Sequence, residues 1–174
     1  KKKNHLWDAA SRTLSLAGAK NECLAFQVVL EAGPDGAKDI EVRITALNGP
    51  GKIAASQFEL FKEWYIQTKR ASAPQNAPSA GVGWYPDPLV PWEVRDTSDY
   101  DGPPFAIERN TAQAVWVDLR IPAAAPAGDY QGHIEVLADG QPCATLEVRL
   151  HVFNFALPKE IHNVLLLNGN PPDI

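Results

Sequence analysis

The chain has 174 residues, with 16 Lys+Arg against 21 Asp+Glu and a formal net charge of −5. That length suits one domain, and a composition of 45% hydrophobic and 21% charged residues excludes a disordered or collagen-like chain. The mild acidity, with Lys1 to Lys3 as the one basic cluster, leaves no electrostatic footprint for nucleic acid or an anionic membrane, so neither is expected as a partner.

The first residue is Lys1 and the chain contains no Met, so it is expected to be an excerpt of a longer protein. No signal-peptide segment opens it, and no apolar stretch is long enough to span a bilayer. Period-two alternation then recurs along the chain and predicts strands with one apolar and one polar face. Leu24, Phe26, Val28 and Leu30 alternate with Ala25, Gln27, Val29 and Glu31, and Ile40, Val42 and Ile44 follow the same rule. Lys52 to Phe61 could hold one short helical turn. Thr68 to Asn110 then reads as a long connection rich in Pro, Ser, Asp and aromatic residues, a length that compact domains seldom carry without a role for it.

Alternation resumes at Val115, Val117, Leu119 and Ile121, continues at Ile134 and Val136, and ends with Leu146, Val148, Leu150 and Val152. Asp139-Gly140, placed between two such runs, predicts a two-residue hairpin turn. With 15 Pro and 12 Gly acting as breaks, the pattern predicts an all-β fold, an antiparallel β-sandwich of immunoglobulin or jelly-roll type with a long Pro/aromatic-rich connection. The sandwich is expected over residues 1–157. Residues 158–174, with the unbroken apolar run Val164 to Leu167, read as a linker and the first strand of a following domain, or as an edge strand added to the sandwich.

The chain lacks Gly-x-Ser-x-Gly, His-Glu-x-x-His, Cys-x-x-Cys and a phosphate-binding loop, and contains no Asp-Glu dipeptide. Cys23 and Cys143 are expected to be buried free thiols, with a single disulfide as the alternative. His133 and His151 fall on polar strand faces, where a solvated surface is the simpler reading than a zinc pair, and neither a metal nor a cofactor is assigned. Asp87, Glu93, Asp96, Asp99, Asp101 and Glu108 gather in the connection, but a loop does not hold catalytic carboxylates rigidly, so no catalytic residue is assigned. Their company is aromatic. Trp84, Tyr85, Asp87, Trp92 and Tyr100 form the candidate contact set, suited to stacking on sugar C–H faces, to anchoring a neighbouring domain, or to capping the sandwich's own open end.

Three phrases taken together are specific: Gly18 to Leu30 (Gly-Ala-Lys-Asn-Glu-Cys-Leu-Ala-Phe-Gln-Val-Val-Leu), Tyr85-Pro86-Asp87-Pro88-Leu89-Val90-Pro91, and Val115 to Pro122 leading to Pro126-Ala127-Gly128-Asp129-Tyr130-Gln131-Gly132. They resemble the N-terminal β-sandwich domain found ahead of the catalytic barrel in glycoside hydrolase family 123 and related proteins, over about Leu16 to Pro158. The resemblance implies a downstream (β/α) barrel whose Asp-Glu pair acts on N-acetylhexosaminides through the substrate's acetamido group, in an exported, bacterial-type enzyme. None of those catalytic residues maps onto this chain. The expected role is therefore a non-catalytic accessory domain whose partner is the barrel of the same polypeptide, with a free-standing carbohydrate-binding module as the alternative.

Overall fold

The computed structural model describes residues 4–71, 80–94 and 100–160. Twelve strands form over these residues: β1 (Trp7–Asp8), β2 (Thr13–Lys20), β3 (Cys23–Glu31), β4 (Ala37–Ile44), β5 (Leu47–Asn48), β6 (Lys52–Ile53), β7 (Phe58–Thr68), β8 (Gly83–Pro91), β9 (Phe105–Ile107), β10 (Ala112–Arg120), β11 (Gly128–Ala138) and β12 (Gln141–Ala156). A single 3₁₀ turn, Ala55–Gln57, lies within the Lys52 to Phe61 segment read as able to hold a helical turn, whereas Lys52–Ile53 and the residues from Phe58 on are strand. The larger sheet runs β1-β2-β12-β11-β4-β9, with β5 and β6 attached through β11, and the smaller runs β3-β10-β7-β8. The fold is thus the two-sheet sandwich that the alternation predicts. One pair departs from the antiparallel rule, since β2 lies parallel to β12 from Thr13↔Glu147 onward.

The rows expected to point inward do so. Phe26 and Val28 of β3, Val115, Val117 and Leu119 of β10, Ile134 of β11 and Val148, Leu150 and Val152 of β12 are buried together between the sheets. Such interlocking rows remove apolar surface from water at about 25 cal/mol per Å², the main term holding two sheets face to face. Asp139 and Gly140 both take left-handed φ values, 50° and 71°, as a tight turn joining β11 to β12 requires.

The connection from Thr68 to Asn110 is itself partly strand. Its described part carries β8, which pairs antiparallel with β7 from Phe61↔Pro91 to Thr68↔Gly83, and β9, which pairs with β4. β8 is an edge strand, and Pro86, Pro88 and Pro91 fall within it. Proline donates no amide hydrogen and is tolerated at an edge, where it also blocks pairing with another chain. The same residues that read as a loop in sequence therefore stiffen an edge.

Candidate functional site

The smaller sheet carries the aromatic cluster, and β7 is its axis. Consecutive strand residues point to opposite faces, yet Lys62 and Glu63, 4% and 3% exposed, are both buried. Lys62 points inward. Its amine donates to the Asp101 backbone carbonyl, lies 3.6 Å from the Asp101 carboxylate, and sits over the rings of Trp64, Tyr100 and Phe105, with the Phe105 centroid at 4.3 Å. An ammonium leaves water at acceptable cost only with a paired charge and ring faces of this kind around it. On the outer face, Gln27 Nε2 donates to Glu63 Oε1 at 2.6 Å; from β10, Gln113 Nε2 donates to the Glu63 backbone carbonyl at 2.7 Å. A shallow depression of about 200 Å³ opens there, lined by Gln27, Glu63, Pro86, Asp87, Leu89 and Trp116. The Trp116 indole N–H donates to Asp118 Oδ1 at 2.8 Å, which fixes that ring on the surface of the sheet.

The candidate contact residues divide between these two environments. Trp92 turns inward, edge-on to Phe105 at 5.9 Å, and packs against the core. Tyr100 lies 5.2 Å from Trp64, over Lys62. Tyr85 is half-buried, its hydroxyl donating to the Gly81 carbonyl at 3.2 Å. Trp84 is the ring left open, 64% exposed, near Val82 on the same edge. Asp87 is exposed at the depression beside Trp116. Trp92 and Tyr100 thus pack against the sandwich's own side chains, while Trp84 and Asp87 face solvent in different surroundings.

Among the other carboxylates, Glu93 and Glu108 are exposed, Asp101 is tied to Lys62, and Asp96 and Asp99 lie outside the described residues. The thiols require a correction. Cys23 and Cys143 are free, but both are exposed rather than buried, because Leu24 and Phe26 occupy the inward row of β3 and the alternation turns Cys23 outward, while Cys143 sits in the exposed opening residues of β12. Desolvation, with the Asp118 carboxylate adding to it, raises the Cys23 pKa above the ordinary thiol value, the opposite of nucleophile activation. His151 Nδ1 lies 2.6 Å from Asp129 Oδ1, and His133 faces Glu147 across the β11–β12 ladder, so each imidazole has a carboxylate rather than the other imidazole beside it. No group of three metal-ligating side chains occurs among the described residues.

Several participants have weak sequence signals. Gln27, Glu63 and Trp116 lie on polar or mixed strand faces, and only their register across β3, β10 and β7 brings them together. Phe153 and Phe155 escaped the sequence reading; they continue the outward row of Glu147, Arg149 and His151, and both are exposed.

This geometry defines a two-sheet β-sandwich with an aromatic, carboxylate-bearing outer face, and the comparisons with known proteins place it in a family. The chain belongs to the glycoside hydrolase 123 N-terminal domain family, whose model matches residues 1–138. The match stops at the β11–β12 turn, so β12 completes the sandwich beyond it. No curated protein matches the chain. Among solved structures, a family 123 glycoside hydrolase from Clostridium perfringens, studied for glycolipid glycan hydrolysis, superposes with a TM-score of 0.67 at 20% identity, over 84% of this chain. At that identity the likeness is one of fold. The chain spans about a quarter of that enzyme, 24% of its length. No helix among the described residues is long and apolar enough to cross a membrane.

Proposed function

We propose that this chain is the non-catalytic N-terminal accessory domain of an exported, bacterial glycoside hydrolase acting on N-acetylhexosaminides, bracing a following catalytic barrel and bordering its substrate site. The observation that carries this reading is membership of a domain family defined by its place in such enzymes, in a chain corresponding to 24% of a solved relative. On this reading residues 1–157 are the brace and 158–174 the linker and first barrel strand, of which residues 161–174, including Val164 to Leu167, lie outside the described residues. A stiff edge strand bearing exposed Trp84 and Leu89 suits a brace, because little entropy is lost when a neighbour covers it.

A second reading is favoured by the depression at Gln27, Glu63, Asp87 and Trp116, where an indole lies beside amide and carboxylate acceptors, the chemistry that recognises a sugar ring. One set of assays separates the two. Under the first, the isolated chain does not hydrolyse aryl N-acetylhexosaminides, the parent polypeptide does, and deleting residues 1–157 from the parent destabilises what is left. Saturable quenching of tryptophan fluorescence by N-acetylgalactosamine, lost in Trp116→Phe, would establish the second. Turnover by the isolated chain that vanishes in Asp87→Ala or Glu93→Ala would overturn both.

A further inference from the structure

We infer that the outer face of the exit end of β12, Phe153 and Phe155 with Leu157 beyond them, is the seat of the domain that follows in the same polypeptide. This rests on the bracing reading and assigns it a surface distinct from the Trp84 edge. The outward row of β12 begins polar, with Glu147, Arg149 and His151, and then changes character. Phe153, Phe155 and Leu157 are 40%, 57% and 41% exposed. A lone exposed apolar side chain is ordinary, whereas three at a two-residue interval form a strip. The strip is also ordered: the Phe153 and Phe155 rings stack at 5.9 Å and 10°, and the His151 ring meets Phe153 edge-on at 5.2 Å. Rings already fixed lose little freedom when covered, which is the character of an interface anchor.

Three further observations select the occupant. Of the polar groups around the strip, Arg149 pairs with Glu147 at 2.8 Å, His151 Nδ1 lies 2.6 Å from Asp129 Oδ1, and Lys20 donates to Asn154 at 3.3 Å. What is left to cover is a hydrocarbon strip inside a polar rim, the anatomy of an interface between domains. The strand end is pinned, because Leu157 N–H donates to the Lys20 carbonyl at 2.8 Å and the Asn21 amide donates to the Leu157 carbonyl at 3.1 Å. Whatever follows Leu157 therefore starts beside the strip, and a domain tethered within a few residues docks there at high effective concentration. The solved relative, of which this region is 24%, has the additional chain that such a domain needs. The Trp84 edge lies at the Thr68 end of β7, whereas β3 begins opposite Arg120 at the Phe58 end, close to the Asn21 turn that holds Leu157.

The test uses the parent polypeptide, with a photoreactive benzoylphenylalanine introduced at Phe155. Cross-links to peptides beyond residue 174 of the same molecule are the expected result. Cross-links to residues 161–174 would mean that the tail covers the strip, cross-links between two copies would mean a dimer, and reaction with solvent alone would mean an open surface; each of the three overturns the inference. In parallel, Phe153→Ser/Phe155→Ser is expected to raise protease cleavage of the link after Pro158 about tenfold, the factor given by losing ~1.4 kcal/mol of docking. Hydrogen exchange in β10 and β11 should stay unchanged, which shows that the sandwich of the variant is folded. Unchanged cleavage in a folded variant counts against the strip. If deletion of residues 1–157 left the remaining polypeptide's stability intact, the bracing reading itself would fall, whereas cross-links from elsewhere in a coupled pair would remove only this surface.

Discussion

Tyr130 shows how single residues close this sandwich. Its ring is fully buried and its hydroxyl donates to the Pro126 carbonyl, four residues upstream, at 2.8 Å. This is the tyrosine-corner arrangement found where a strand turns into a β-sandwich, and Gly128, at φ 132°, lets the chain turn between the two partners. Gly132, two residues on, has no room for a side chain: a Cβ there would meet Leu47 at 2.6 Å and the Ala46 carbonyl at 2.9 Å. The Pro-Ala-Gly-Asp-Tyr-Gln-Gly phrase, part of the family resemblance in sequence, is therefore a packing device. Tyr130→Phe, which removes one hydrogen bond, should cost about 0.5–1.5 kcal/mol, and Tyr130→Ala, which empties a core site, about 3–5 kcal/mol. Denaturant melts of the two variants measure both; equal losses would show that the hydrogen bond, not the ring, carries the corner.

At the scale of elements, β10 supplies the middle of the smaller sheet's inward row. Val115, Val117 and Leu119 are fully buried, and Arg120 is exposed. Leu119→Ala should cost about 2–5 kcal/mol and Arg120→Ala less than about 0.5 kcal/mol; comparable midpoint shifts in urea would contradict the assignment of faces. β3, β4, β10, β11 and β12 were legible because one face is buried and the other wet, which writes a period of two into the sequence. β7 was not. Lys62 and Glu63 are adjacent and both buried, one under rings and one under amides, so charge ceases to mark the solvent face there. β8 was hidden by its prolines, which read as breaks although an edge strand tolerates them. The candidate site suffered in the same way: Asp87 could be named from composition, but its neighbours Gln27, Glu63 and Trp116 come from three other strands and are joined by register alone. Trp92 and Tyr100 resemble Trp84 in sequence, and only their contacts with Phe105 and Trp64 distinguish a packed ring from an open one.

For the whole molecule, the parallel pairing of β2 with β12 has a mechanical consequence. The ladder begins at Thr13↔Glu147 and ends at Ala156↔Lys20, so the chain enters at one end of it and leaves at the other. A pull on the two flanks runs along both strands in opposite senses and loads their hydrogen bonds in shear, many at once. In an antiparallel hairpin, by contrast, a pull on the two free ends opens the bonds one after another, like a zipper. The domain should therefore resist stretching strongly along its own chain axis. In a single-molecule pulling experiment, tension applied through the two termini should rupture the fold at markedly higher force than tension applied through Asp35 and Asp139, which is not aligned with that ladder. Similar rupture forces for the two geometries would show that β2 and β12 do not act as the clamp.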